Sequence, residues 1–269
     1  MAVQRVSDTW ERGNPYEHYV GRWSRRLAPR FLSWLDLPRG LRWLDVGCGT
    51  GALCAAILDE CAPSTVFGIE PSAGFLATAA ENLGGRATLQ RGSATEIPLP
   101  DDSVDAAVSG LVLNFVPDGP AALAEMSRVA VAGGIVAAYV WDYAGRMELM
   151  RHFWDAAVAL DATAATLDEG ERFTLCRPAA LEQMFVGAGL LRVAVSGIEI
   201  PTPFASFDDY WQPFLGGQGP APAYAMSLDD RGRARLRDRI RGQLPRGADG
   251  SIDLTARAWA VRGTVPGRC

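Results

Sequence analysis

Short apolar runs alternate with helix-forming segments through the first half of this chain. Five runs have the length and composition of buried strands: residues 41–46, 65–70, 87–90, 104–109 and 134–140. Three segments between them favour helices: residues 51–60, 72–83 and 121–130. This alternation predicts an α/β fold, with a mainly parallel sheet and helices on both of its faces.

The regular alternation stops after residue 143. Residues 144–175 are typical of inserted helices, and residues 202–226 form an aromatic stretch rich in proline and glycine. Later segments again favour regular elements: helices at 178–188 and 227–244, and strands at 191–200 and 252–264. Ahead of the first strand, residues 16–37 hold aromatic residues among arginines and predict one or two helices.

Composition and charge narrow the classes of protein to consider. The chain has 269 residues, of which 48% are hydrophobic and 21% charged, and its formal net charge is −5. These values suit a globular chain with a sizeable core, and they do not favour nucleic acid or an anionic membrane as a partner. All 26 basic residues are arginine, which excludes chemistry that needs a Schiff-base lysine or a phosphate-loop lysine.

The cysteines and histidines carry no recognisable metal or disulfide pattern. The 5 cysteines include no CxxC pair, so we expect them to be reduced and the protein to be cytoplasmic. The 2 histidines, His18 and His152, belong to no His/Cys cluster, and we expect no metal site. Residues 1–30 lack the pattern of a signal peptide, and the apolar run 129–141 is too short to span a bilayer.

The first predicted strand ends in a glycine-rich turn that points to a nucleotide-like ligand. Asp45 is followed by Gly47, Gly49 and Gly51, and a helix-forming run begins directly afterwards. Glycines at such a turn let the backbone bend sharply and approach a ligand, which the amides at the helix N-terminus then face. The spacing of Gly47, Gly49 and Ala52 also fits a dinucleotide fingerprint, so an NAD-dependent oxidoreductase is an alternative at this stage.

Three details favour S-adenosylmethionine (SAM) over a dinucleotide. Asp45 stands two residues before the first glycine, where it disfavours a pyrophosphate but not an ammonium group. The turn begins well into the chain, behind an aromatic helical segment, whereas a dinucleotide fold usually begins with its strand. A second turn, Gly92-Ser93-Ala94, precedes Val104-Asp105 and could supply partners for an adenine edge.

Four segments, in order, resemble the motifs of class I SAM-dependent methyltransferases, and in particular the small-molecule branch called type 11. They are LDVGCGTG (44–51), GIEPS (68–72), GSATEIPLPDDSVDAAVSGLVLNFVPD (92–118) and RVAVAGGIVAAYVWD (128–142). The resemblance implies a Rossmann-like sheet of seven strands with the last one antiparallel. It also implies SAM as cofactor and S-adenosylhomocysteine (SAH) as product.

The resemblance also implies a role for each motif residue. The turn Gly47-Cys48-Gly49 and Gly51 would approach the methionine part and the ribose, with Asp45 near the ammonium group. Glu70 would accept both ribose hydroxyls, since a carboxylate can accept two bonds at once. The remaining motif residues would flank the adenine (Pro71, Ser72), contact its edge (Ser93 or Ala94) and lie beneath the methionine and sulfonium (Ser109, Gly110, Leu111).

Methyl transfer from a sulfonium is an in-line displacement for which the protein mainly supplies orientation. A base is needed only for a poorly nucleophilic acceptor. Relatives often carry a histidine after the fourth strand, where this chain has Asn114-Phe115, so that base is missing here. The candidates for a base are His152, Tyr143, Asp142 and Glu148, all just after the fifth strand, and the first two are preferred. A partly exposed helix histidine is the alternative for His152.

Two aromatic groups are expected to surround the ligands. Tyr19, Arg22 and Trp23 predict a flap over the cofactor or, alternatively, an amphipathic helix packed on the sheet. The residues that would face the acceptor are Asn114 and Trp141, a stripe at helical spacing (Phe207, Tyr210, Trp211, Phe214) and a facing wall (Met147, Met150, Trp154). Plain core is the alternative for the stripe.

The sequence therefore predicts one methyltransferase domain over residues 1–269. It would have a helical flap at about 10–37, a SAM-binding core at about 40–142, and a helical and aromatic substrate lid at about 143–175 and 202–246. The expected partner is a small, largely apolar or aromatic acceptor, with no nucleic acid and no membrane, and the oligomeric state is left open. An RNA or protein methyltransferase and a non-catalytic SAM-binding protein are the alternatives.

Overall fold

The computed structural model describes residues 17–216 and 219–267 of the chain. Seven strands form a single sheet: β1 (Arg42–Val46), β2 (Thr65–Glu70), β3 (Thr88–Arg91), β4 (Val104–Gly110), β5 (Ala130–Trp141), β6 (Leu191–Phe204) and β7 (Ile252–Thr264). Their order across the sheet is β3-β2-β1-β4-β5-β7-β6. Strands β1 to β5 pair in parallel, and β7 is antiparallel to both β5 and β6. The predicted fold class is confirmed, including the antiparallel last strand.

Helices connect the parallel strands and cover the sheet. They are α1 (Arg22–Leu35), which follows a π-helical turn at Glu17–Gly21, then α2 (Ala52–Glu60), α3 (Ala73–Leu83) and α4 (Gly119–Val129). Helix α1 contacts α2, and α2 contacts α3, while α4 contacts the later helix α7 (Pro178–Gly187). Ser72 caps α3 by accepting a hydrogen bond from the Phe75 amide at 3.3 Å, in agreement with the usual preference for serine at this position.

The segment between β5 and β6 is helical, as predicted for residues 144–175, but it is divided into short pieces. These are α5 (Glu148–Leu160), a 3-10 helix (Ala162–Leu167) and the single turn α6 (Glu169–Arg172). A second helical segment separates β6 from β7: α8 (Phe207–Trp211), a 3-10 helix (Gln212–Gly216), α9 (Pro220–Ser227) and α10 (Asp230–Gln243). Helix α5 contacts α9, α10 and β7, so the two segments pack together beside the sheet.

Strand β6 is longer than its sequence pattern predicts. It continues to Phe204 and includes Pro201 and Pro203, which pair with Thr255 and Asp253 of β7. The sequence instead assigned residues from 202 onward to an irregular stretch. Because β6 is the edge strand and has β7 as its sole neighbour in the sheet, a proline can be placed there without removing a hydrogen bond that a second neighbour would need.

Among the described residues, no helix combines the length and the apolar character that a bilayer crossing requires.

Candidate cofactor and acceptor site

A cavity of about 370 Å³ opens where the parallel strands end. Its wall includes Asp45 of β1, Glu70 of β2, Gly110 of β4 and Trp141 of β5. Strands β1 and β4 are neighbours in the sheet although they are not consecutive in the chain, so their ends form the crevice at which ligands of open α/β sheets bind. The volume lies within the range of small-molecule and cofactor pockets.

Most of the predicted cofactor residues lie on this cavity wall: Asp45, Gly47, Cys48, Gly49, Glu70, Pro71, Ser72, Ser93, Ala94, Gly110 and Leu111. Phe75 and Thr50 also line the cavity and were not predicted. No sequence signal separates these two from ordinary helix and turn residues. Leu111, directly after β4, has a φ of 64°, an uncommon backbone conformation for a residue with a side chain.

The three glycines of the turn all have left-handed backbones, but the surroundings of their Cβ positions differ. A Cβ on Gly47 would lie 2.6 Å from Cγ1 of Val112, so this glycine permits a close approach between the turn and the residues after β4. A Cβ on Gly49 would meet no heavy atom within 4 Å, and Gly49 lines the cavity. Gly51 does not line the cavity, because its Cβ position faces Leu83 of α3 at 3.1 Å.

Asp45 carries an unsatisfied carboxylate oxygen at the cavity. The residue is 1% exposed, and its Oδ2 accepts a hydrogen bond from the Cys54 thiol at 3.3 Å. Its Oδ1 is buried and has no hydrogen-bond partner among the described residues. Burial raises the pKa of Asp45 to about 7. A buried carboxyl with one unpartnered oxygen fits the ammonium group of a ligand, which would restore both its charge and its missing bond.

Glu70 joins the ends of β1 and β2. Its Oε1 accepts from the Ser72 amide at 2.9 Å, and its Oε2 accepts from the Gly49 amide at 3.1 Å. Burial raises the pKa of Glu70, and these two amide bonds oppose the rise. The carboxylate therefore holds the glycine turn in place while it remains on the cavity wall, and each of its oxygens can still accept a further hydrogen bond.

Ser109 and the flap residues are not on the cavity wall. Ser109 is fully buried, and its hydroxyl donates to the carbonyl of Val46 at 2.8 Å. Arg22 pairs instead with Asp209 at 2.8 Å, and Trp23 packs edge-on against Phe204 with ring centroids 5.3 Å apart. Both flap residues therefore join α1 to the segment around β6 and α8.

Val20 and Ser24, rather than Arg22 and Trp23, are the residues of the α1 region that reach the cavity. Tyr19 is buried behind them, and its hydroxyl donates to the sulfur of Met150 at 2.8 Å. The predicted amphipathic helix is thus present, but a different face of it meets the cavity. Residues 10–16 of the predicted flap lie outside the described part of the chain.

The aromatic stripe is packed in the core, which is the alternative that the sequence left open beside a wall of the acceptor site. Phe207, Tyr210, Trp211 and Phe214 are all buried, and none of them lines the cavity. The Phe214 ring stacks on the Phe153 ring at 4.6 Å, and the Tyr210 hydroxyl donates to a backbone carbonyl at 2.8 Å. The stripe therefore packs α8 and the following turn against α5.

The residues expected around the acceptor separate into two groups. Trp141, Tyr143 and Met150 line the cavity. The others do not: Asn114, Met147, His152 and Trp154. Met147 and Trp154 are fully buried. Both side-chain polar atoms of Asn114 are buried without a hydrogen-bond partner among the described residues. His152 is half-buried on α5, and burial lowers its pKa. His152 thus has no access to an acceptor in the cavity.

Glu169 is a cavity residue that the sequence gave no reason to choose. It is 2% exposed at the start of α6, and its Oε2 accepts a hydrogen bond from the Trp154 indole nitrogen. Burial raises the pKa of Glu169 to about 7. In the sequence it stands in the charged run LDEGER, and such residues are almost always solvated.

Burial of Asp45 makes its effect on stability pH-dependent. Its folded-state pKa of about 7 exceeds the ordinary value of 3.8, so the folded protein holds a proton that the unfolded chain has released between these pH values. This carboxyl is therefore least costly to bury at low pH, and stability is lost as the pH rises toward 7. We expect Asp45→Asn to raise the melting temperature of the ligand-free protein at pH 8 by several degrees and to have a smaller effect at pH 5.

The same substitution should weaken SAH binding by at least ~10-fold, because a neutral amide cannot pair with an ammonium group as a carboxylate does. Thermal unfolding and calorimetric titration at both pH values measure the two effects. The exposed Asp253→Asn is the control and should change neither. Undiminished SAH affinity in the Asp45 variant would place the ammonium group elsewhere.

Comparisons with known proteins show which family and fold this chain resembles. Residues 44–138 match the family model described as a methyltransferase domain. A demethylmenaquinone methyltransferase of Anoxybacillus flavithermus is 32% identical over 141 residues, which are 49% of this chain and 57% of that protein. The chain thus spans about half the length of the curated relatives it matches.

Two solved structures show the same fold. A putative methyltransferase from Bacillus halodurans superimposes with a TM-score of 0.59 at 12% identity, over 89% of this chain and 98% of that one. Phosphoethanolamine N-methyltransferase 2 of Haemonchus contortus, solved with SAH, gives a TM-score of 0.58 at 16% identity, over 95% of this chain and 57% of that one. The family match thus identifies a methyltransferase domain at residues 44–138, and the two structures show that the chain shares their fold.

Proposed function

We propose that this protein transfers a methyl group from SAM to a small, largely apolar acceptor. The observation that carries the proposal is the unpartnered Oδ1 of Asp45, beside an open glycine turn and a second buried carboxylate. A dinucleotide would bring a pyrophosphate to this turn, where Asp45 would disfavour it. The ammonium and sulfonium groups of SAM instead suit an acidic, partly apolar cavity.

In this proposal, residues at the ends of different strands bind different parts of the cofactor. Asp45 holds the ammonium group, and Gly49 leaves room for the methionine and ribose parts. Glu70 accepts the ribose hydroxyls, while Ser93 and Ala94 contact the adenine edge. SAM supplies the electrophilic methyl group, so these residues need only orient it toward an acceptor and exclude water.

The rest of the cavity wall is the proposed acceptor site. Tyr139, Trp141, Tyr143, Met150 and Phe115 line it. Flat aromatic faces and an adaptable methionine suit an apolar ring better than a charged chain. The similarity to the Anoxybacillus relative, named a demethylmenaquinone methyltransferase, also supports an apolar ring as the acceptor. RNA and protein substrates are less suited to a cavity of about 370 Å³.

Calorimetric titration with SAH, with NAD run in parallel, tests the cofactor. We expect micromolar binding of SAH, about −8 kcal/mol, and no binding of NAD. Binding of NAD without SAH would replace the proposal by an oxidoreductase. Binding of SAH without methyl transfer to any acceptor of an apolar aromatic panel would favour the non-catalytic alternative.

The free thiols of Cys48, Cys54, Cys61 and Cys176 support a reducing compartment such as the cytoplasm.

A further inference from the structure

Glu169 lies at the acceptor end of the cavity and is held there by its neighbours on both sides. Asp168 caps α6 by accepting from the Gly170 amide at 2.8 Å, and it also pairs with Arg151 of α5 at 2.6 Å. Gly170 lets this segment approach the end of β5, because a Cβ there would lie 3.0 Å from the Tyr143 carbonyl oxygen. The Glu169 backbone is therefore anchored to α5 and to the residues after β5.

The side chain of Glu169 is oriented by the Trp154 indole, which donates to its Oε2. Phe173, one turn further on, contacts both Phe115 and Tyr143 with ring centroids 5.1 Å and 5.4 Å apart. Since Phe115 and Tyr143 line the cavity, Phe173 packs the short helix that carries Glu169 against this part of the cavity wall. A carboxyl group thus reaches an otherwise largely apolar acceptor site.

We propose that Glu169 is the general base of the reaction and accepts the proton of an aromatic hydroxyl group on the acceptor. This inference rests on the proposed methyl transfer. The hydroxyl oxygen forms the new bond to the methyl carbon, and the carbon–sulfur bond breaks with its electron pair passing to sulfur. The hydroxyl proton passes to the Glu169 carboxylate, which balances the charge lost by the sulfonium.

A carboxylate base favours an acceptor with a hydroxyl group over one with an amine. Burial raises the pKa of Glu169 to about 7, near the value at which a base is most effective at neutral pH. A phenolic hydroxyl, with a pKa of about 10, lies within reach of such a base. A neutral amine needs no base, and a nearby carboxylate would favour its non-nucleophilic ammonium form.

Several charged and titratable groups interact electrostatically with Glu169. Asp168 raises its pKa and Arg172 lowers it, both from α6 or its cap. Burial raises the pKa of Tyr19 and of Cys176 well above their ordinary values, and the negative charge of Glu169 raises both further. Neither group therefore competes with Glu169 as a base near neutral pH.

The test uses Glu169→Gln, whose amide oxygen can still accept from Trp154, and two kinds of phenol. One is protonated at the assay pH (1-naphthol), and the other is largely ionised (4-nitrophenol at pH 8.5). With radiolabelled SAM, we expect kcat/KM for 1-naphthol to fall by at least ~100-fold and for 4-nitrophenol by less than ~5-fold. In the wild type, kcat/KM for 1-naphthol should rise with pH through about 7, and this rise should be absent from the variant.

Glu171→Gln, an exposed neighbour on α6, is the matched control and should behave as wild type. SAH affinity should stay within about twofold in both variants, since neither side chain is placed at the cofactor. Equal losses for both phenols, or none, would overturn the role of Glu169. A wild type that binds SAH but methylates neither phenol would overturn the hydroxyl class, whereas failure to bind SAH would overturn the proposed function itself.

Discussion

Replacing Gly49 by valine should abolish SAH binding while the fold survives, and replacing Gly84 by valine should leave binding intact. The two glycines have nearly the same backbone, with φ values of 54° and 56°, and a Cβ on either would meet no heavy atom within 4 Å. Both valines therefore carry a similar strain, of about 1–2 kcal/mol. The positions differ in their surroundings: Gly49 lines the cavity and its amide donates to Glu70, whereas Gly84 ends α3 at the surface.

A side chain at Gly49 would occupy the space that the proposal gives to the methionine and ribose parts of the cofactor. We expect the affinity for SAH to fall by at least ~100-fold, about 2.7 kcal/mol. Melting temperatures should decrease equally in the two variants, which separates the effect on binding from backbone strain. Retained SAH binding in the Gly49 variant would move the cofactor away from the turn.

The sequence predicts which residues meet where the first strands end, because the information there is local. Asp45, Gly47 and Gly49 stand within a few residues of one another, at the end of a buried strand. Glu70 ends the next strand, and parallel strands bring their carboxyl ends to one edge of the sheet. Strand periodicity and turn residues alone are thus sufficient to bring these side chains together.

The rest of the cavity wall depends on long-range packing, which periodicity does not determine. The sequence predicts an amphipathic helix near residue 20, but not which face meets the cavity. The π-helical turn Glu17–Gly21 departs from the 3.6-residue period just before α1, and Val20 and Ser24 reach the wall instead of Arg22 and Trp23. Glu169 is positioned by Trp154 and Arg151, through contacts between segments that no local pattern connects.

Helical spacing alone does not show whether the aromatic stripe packs in the core or covers a substrate. Residues spaced as in Phe207, Tyr210, Trp211 and Phe214 form one face of a helix whether they pack in a core or cover a substrate. In this fold, α8 and the following 3-10 helix are too short to bury that face alone, so the face packs on α5. The functional test of the distinction is whether truncation of the stripe changes stability or catalysis.

Phe214→Ala should therefore destabilise the protein strongly without changing its ligand affinity. Phe214 is fully buried and contacts the rings of Tyr19, Phe153 and Tyr210, with centroids 5.3, 4.6 and 5.4 Å away. Removing a buried phenyl group costs about 3–5 kcal/mol, including the cavity that it leaves. For a domain of this size, the melting temperature should fall by roughly 10 °C.

The measurement is thermal unfolding, together with SAH titration at a temperature where the variant is folded. Phe214→Leu keeps most of the apolar volume and should lose less than half as much stability, while Met226→Ala, at a side chain that is 44% exposed, should lose almost none. A wall of the acceptor site would behave in the opposite way, because its truncation would change KM for the acceptor at nearly unchanged stability. Such a result would return the stripe to the acceptor site.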